Sequence, residues 1–110
     1  MDKLTPQALA HIADYFKVLA DPTRLQILSL LGDGEYNVGE LAKQCNCTSA
    51  NISRHLSMLS QQGLITRTNR GTSVYYQLTD QSPFALCNLV CENINRKISA
   101  QKQAFAEQAE

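Results

Sequence analysis

Apolar residues recur at helical spacing along most of this chain. Only once, just after Gly63, does the pattern give way to two short β-branched and aromatic runs before it returns. Leu4, Ala8, Ile12, Tyr15, Phe16 and Leu19 line one face of a helix starting near Pro6. Asp21-Pro22-Thr23 supplies an N-cap acceptor followed by proline at the first helical position. Leu25, Ile27, Leu28, Leu30 and Leu31 then make a second helix that is apolar nearly all round, so it is expected at the centre of the core, ending at Gly32. Asp33-Gly34-Glu35 is a turn, and Val38, Leu41 and Cys45 mark a brief third helix whose C-terminal end suits Asn46. Thr48 is the N-cap of a fourth helix, with Ile52, Leu56 and Leu59 as its buried stripe and Gly63 as its left-handed end. Residues 64–68 and 73–78 form a hairpin about Asn69-Arg70-Gly71-Thr72. From Ser82-Pro83 onward, Phe84, Cys87, Val90, Cys91, Ile94 and Ile98 restore the helical stripe in a long last helix, expected to fray over about 101–110. The expected fold is mainly α with one β-hairpin, in the order α-α-α-α-β-β-α.

With 110 residues the chain has the length of one domain with one modest core, and residues 1–110 are read as a single domain. Its N-terminus, Met1-Asp2-Lys3-Leu4-Thr5-Pro6, has no signal-peptide pattern, and no apolar stretch is long enough to span a membrane. The cytoplasm is therefore the expected compartment. There Cys45, Cys47, Cys87 and Cys91 would serve as buried thiols, metal ligands or redox sensors rather than structural disulfides. Ten Lys and Arg offset ten Asp and Glu, so net charge says nothing about nucleic acid. The distribution of charge says more, because residues 41–79 contain Lys43, Arg54, Arg67 and Arg70 and no acidic residue. A neutral protein binds a polyanion when its cations are gathered on one surface.

The short third helix, the turn near Asn46 and the helix over 48–62 form a helix-turn-helix, and the hairpin is its wing. A helix with a polar face in its N-terminal half can enter the major groove of double-stranded DNA. There the side chains of Ser49, Asn51, Ser53, Arg54 and His55 match base-edge donors and acceptors, while Arg67 and Arg70 at the hairpin reach phosphates or the minor groove. Two terminal helices with apolar stripes longer than a core of this size can cover point to a partner surface, and one copy reads only a half-site. The other readings are a winged-helix module for protein or RNA contacts without effector sensing, and a thiol enzyme or metal carrier. That last reading lacks a Cys-x-x-Cys motif and any Ser or Cys, His and acid constellation.

Several stretches also resemble a family. Asp21-Pro22-Thr23-Arg24-Leu25-x-Ile27-Leu28, Val38-Gly39-Glu40-Leu41-Ala42, Ser53-Arg54-His55-Leu56-x-x-Leu59, Gly63-Leu64-Ile65, Gly71 and Val74-Tyr75-Tyr76 are similar, in order and spacing, to the ArsR/SmtB family of bacterial repressors. The resemblance covers roughly residues 8–98. It implies a homodimer built from the first and last helices, bound to an inverted-repeat operator and released by an effector such as a thiophilic metal, a metalloid or a reactive sulfur species. No cofactor is required.

The family's sensing sites are reproduced only in part. The Cys-x-Cys that one branch carries at the start of the third helix aligns with Asn37 and Gly39, and the Asp and His of the zinc branch have no counterpart because the last helix lacks His. In the persulfide branch one cysteine aligns with Ala42 and the other lies about a turn beyond Cys91. Cys87 and Cys91 remain, one turn apart on one helical face, as candidates for an effector or a soft metal, with burial in a dimer interface as the alternative. Cys45 and Cys47 fit two small packing residues at the turn better than a sensor. A two-thiol site needs further ligands from a second protomer or elsewhere.

Overall fold

The computed structural model describes residues 3–109, with side chains through residue 104. It contains α1 (Pro6–Leu19), α2 (Pro22–Leu31), α3 (Val38–Cys45), α4 (Ser49–Gln61), β1 (Ile65–Arg70), β2 (Ser73–Leu78) and α5 (Ser82–Ala109). Every helix start before the hairpin is set by a short polar side chain that satisfies an orphan N–H. Thr5 Oγ1 accepts from the Ala8 amide at 3.1 Å, Asp21 Oδ1 from Arg24 at 3.0 Å and Thr48 Oγ1 from Asn51 at 3.1 Å. At α3 the arrangement is reciprocal: Asn37 Oδ1 accepts from the Glu40 amide, and Glu40 Oε1 accepts from the Asn37 amide.

The turn between α3 and α4 depends on Asn46, which takes the left-handed conformation at φ 53° and lets the Cys47 amide reach back to the Ala42 carbonyl at 3.0 Å. This local geometry sets the start of α4. After α4, Gly63 at φ 73° turns the chain so that the Leu64 amide bonds the Leu59 carbonyl.

The strands pair antiparallel from Ile65 opposite Leu78 to Arg70 opposite Ser73. The loop is therefore only Gly71-Thr72, and Asn69 and Arg70, expected in the turn, belong to the strand. Gly71 has φ 63° and Thr72 does not share the positive sign, which is the pattern of a type II′ turn and explains the glycine at the first loop position. Tyr36 adds a single antiparallel bridge to Tyr76, with both amide-to-carbonyl bonds formed, and so ties the segment before α3 to the wing.

The chain divides into two compact units, Met1–Asp80 and Gln81–Glu110. The core of the first is made by Val18 and Leu19 of α1, Ile27, Leu28 and Leu31 of α2, Leu41 of α3, Ile52, Leu56 and Leu59 of α4, and Leu64 and Ile65. Contrary to the sequence reading, α2 is not buried all round: Leu25 is exposed and only the face bearing Arg24, Ile27, Leu28 and Leu31 is enclosed. Along α1 only Val18 and Leu19 are buried, and Leu9, Ile12 and Phe16 stay exposed, Phe16 at 52%.

The second unit is α5, 28 residues and about 42 Å long, with Leu89, Val90, Ile94 and Ile98 exposed. It continues through Ala109 where the sequence reading expected fraying, and Glu110 lies outside the described residues. Among the described residues no helix is long and apolar enough to cross a membrane.

Candidate nucleic-acid interface

At 3.6 residues per turn, a helix whose buried stripe is Ile52, Leu56 and Leu59 turns Ala50, Ser53, Arg54 and Ser57 to the opposite side, and all four are exposed. Ser49 is also exposed, and Asn51 sits half-buried on the flank, where its Oδ1 accepts from Arg54 Nη2 at 2.6 Å. The hydrogen bond holds the guanidinium along the helix with other donors free. The first turn of α4 carries no acidic residue, so nothing offsets the positive end of its dipole. Asn46, Cys47, Thr48, Ala50, Asn51 and Arg54 line an open concavity of about 610 Å³ at this end. Short hydroxyls, an amide and an exposed guanidinium on one convex helix suit base edges and phosphates.

One expected contact residue is elsewhere. His55 is 5% exposed and faces the core, so it is unavailable to a base edge. The reason is periodicity: it stands three residues after Ile52 and four before Leu59, on the buried stripe itself. That spacing was the signal that could have placed it. Its partner, missed in the sequence, is Arg24, only 9% exposed, whose Nη1 lies 3.2 Å from His55 Nδ1. Burial, ahead of the opposing pull of the Asp21 carboxylate, holds His55 below the usual imidazole range, with the Arg24 and Arg54 charges adding to the depression.

The wing brings Arg67 and Arg70 to the surface in different states. Arg67 is exposed opposite Tyr76. Arg70 makes a 2.8 Å ion pair with Glu35 and stacks 5.5 Å from the Tyr75 ring centroid. The segment free of acidic residues in sequence is therefore not free of them in space, because Glu35 from the turn before α3 returns to the wing.

All four cysteines are free thiols. Cys45 and Cys47 are half-buried at the turn, with the Cys47 thiol donating to the Cys45 carbonyl at 3.3 Å. Burial pushes the Cys45 thiol up, and the neighbouring Cys47 adds to that. On α5, Cys87 is half-buried and its pKa is raised by burial, whereas Cys91 is exposed and its sulfur accepts from Asn95 Nδ2 at 3.8 Å. Among the described residues no three His, Cys, Asp or Glu side chains lie together as a metal site, so two thiols within one chain do not fit a closed metal centre.

Residues 21–67, from the N-cap of α2 into β1, match the bacterial regulatory protein family of the ArsR type. Transcriptional repressor SdpR of Bacillus subtilis is 40% identical over 63 residues, 57% of this chain and 70% of SdpR. The chain belongs to the ArsR family. Another relative, the transcriptional regulator KmtR of Mycobacterium tuberculosis, is 34% identical over 80 residues, covering 73% of this chain and 62% of KmtR, so the chain spans less than two thirds of that protein. In three dimensions it is similar to the homodimeric winged helix-turn-helix DNA-binding domain of a Mycobacterium bovis protein, at 30% identity and TM-score 0.74, covering 86% of this chain and 91% of that one. As an ArsR-family chain it has the winged helix-turn-helix fold, with α3 and α4 as its helix-turn-helix and β1–β2 as its wing.

Proposed function

We propose that this ArsR-family chain is a cytoplasmic repressor that binds as a homodimer to an inverted repeat and is released by a thiol-reactive effector. The observation that carries the DNA reading is the outward face of α4, where Ser49, Ser53 and Arg54 are exposed without an acidic neighbour on that helix. Ser49, Asn51, Ser53 and Arg54 are the base-reading set, Arg67 anchors the wing to the backbone, and Arg70 joins it where its pair with Glu35 opens. Dimerisation through α1 and α5 is supported by the homodimeric relative and by the apolar residues both helices leave exposed, including Phe16 and, at 62%, Leu89. Two α4 helices would then reach half-sites about 34 Å apart. In this reading residues 1–110 work as one domain, α5 contributing the dimer surface.

The effector site is assigned to Cys87 and Cys91, one helical turn apart with one thiol exposed. A soft metal or metalloid needs ligands beyond these two, which a second protomer could bring, whereas a reactive sulfur species needs only the thiols. Cys45 and Cys47 act as packing residues of the turn.

The test is fluorescence anisotropy of the reduced protein on the promoter DNA upstream of its own gene, repeated with arsenite, cadmium, zinc and a persulfide donor. Release of wild type by one of these, but not of a Cys87→Ser/Cys91→Ser variant, is the expected result. Equal behaviour of both proteins with every effector would remove the thiol assignment while leaving DNA binding intact.

A further inference from the structure

Among the described residues of the first unit Arg24 is the enclosed cation, and its guanidinium joins three helices. Nε donates to the Val18 carbonyl at 2.6 Å and Nη2 to the Lys17 carbonyl at 3.5 Å, both at the C-terminal end of α1, where a cation is favoured by the helix dipole. Nη1 reaches across to α4, to Met58 Sδ at 3.4 Å and His55 Nδ1 at 3.2 Å. Asp21, which caps α2, takes the Arg24 backbone amide. One side chain of α2 thus fastens the end of α1 to the inner face of the helix that carries Arg54 outward.

The chemistry of this contact selects one protonation state. A guanidinium has only donors, so His55 Nδ1 must offer its lone pair and the ring must be the neutral Nε2–H form. An imidazolium would set donor against donor and cation against cation between two side chains that are 5% and 9% exposed. The charged groups acting on His55 are the Asp21 carboxylate, which favours the proton, and the Arg24 and Arg54 guanidiniums, which oppose it. From α1 the contact is through the Val18 and Lys17 carbonyls, and Met58 on α4 is uncharged.

We propose that Arg24 and His55 are positioning residues for DNA recognition, holding α4 in its reading position against α1 and α2 only while His55 is neutral. The proposal rests on the DNA-binding reading and adds to it a loss of DNA affinity on acidification. Once the pH is below the folded pKa of His55, binding that requires the neutral ring costs one proton per protomer, about tenfold in affinity per pH unit for each.

The test has two arms on the full chain. In the first, anisotropy on the duplex upstream of its own gene is followed from pH 8 to one unit below the His55 pKa measured in the second arm, at constant ionic strength, for wild type, His55→Asn and Arg24→Gln. The His55→Asn substitution places an amide oxygen where Nδ1 lies, accepting from Arg24 without titrating. Wild type is expected to weaken steeply in the acidic range, while H55N stays flat within about threefold and Arg24→Gln is weaker at pH 8 with its acid sensitivity reduced. In the second arm, imidazole ¹⁵N NMR of wild type without DNA should show His55 as the Nε2–H tautomer, taking its proton below the ordinary imidazole pKa.

A wild type whose affinity is unchanged a full pH unit below the His55 pKa measured in the second arm, or an H55N profile that parallels wild type, would overturn the positioning role. So would a proton on Nδ1 at neutral pH, even if the DNA arm behaved as expected. Failure of wild type to bind the duplex at pH 8 overturns the DNA reading itself, and with it this role.

Discussion

Replacing Glu35 by Gln should tighten DNA binding without touching any residue that faces the groove. Glu35 is paired with Arg70 through both carboxylate oxygens, and that pair must be given up for Arg70 to reach a phosphate. Lys43, Arg54 and Arg67 are the remaining cations of residues 41–79, three per protomer and six per dimer. Each phosphate contact contributes about −0.9 to the slope of log K against log salt, so wild type should show roughly −5 and the variant, with Arg70 recruited in both protomers, roughly −7. Arg70 is exposed and Glu35 half-buried, so breaking the pair costs about 0.5 kcal/mol per protomer, and relief in a dimer gives about 1 kcal/mol, or roughly fivefold in Kd near 0.1 M salt. Because the contact is with the backbone, promoter and scrambled duplexes should tighten alike. Anisotropy titrations between 50 and 300 mM salt measure both quantities, and Arg70→Ala in the Glu35→Gln background should cancel the gain. A slope unchanged within 0.5 and a Kd within about 1.5-fold of wild type would refute the reasoning.

Other outcomes follow from the core and the turns. Leu59→Ala, at a fully buried position of α4, should cost about 2–5 kcal/mol in urea unfolding. Gly71→Ala, at φ 63°, should cost about 1 kcal/mol and loosen hydrogen-exchange protection along β1 and β2 before it affects α2. Stability should fall as the pH drops below about 6.5, because the unfolded chain takes up the His55 proton first, and the fall should be smaller in His55→Asn. Asp21, held low chiefly by the Arg24 amide, stabilises the fold above its ordinary value of 3.8 and loses that contribution only as the pH falls through its lower folded pKa. Urea midpoints at pH 7.5, 5.5 and 3 separate these two windows.

Local signals place the elements well because each is decided within a few residues. The caps at Asp21 and Thr48, the left-handed Asn46 and Gly63, and the stripe Ile52, Leu56 and Leu59 need no tertiary information. Sequence and structure part where contacts between distant segments decide. The apolar residues of α2 suggest a helix enclosed on all sides, yet Leu25 stays exposed, and along α1 only Val18 and Leu19 are buried. The missing acidic residues of 41–79 suggest a bare basic wing, but Glu35 arrives from the turn before α3 and occupies Arg70. Polarity points His55 toward the groove, although its spacing already puts it on the buried stripe. What makes that position tolerable is Arg24, 31 residues away in sequence, which no local pattern pairs with it.

In the proposed function α4 reads DNA through its outward face. The most direct test compares wild type and Arg54→Ala on a promoter duplex and on a scrambled duplex of equal composition at one salt concentration. Loss of about 1–3 kcal/mol on the promoter with a much smaller loss on the scrambled duplex is the predicted result, since a base-reading guanidinium contributes most where its base is present. Equal losses on both duplexes, or no loss on either, would contradict it.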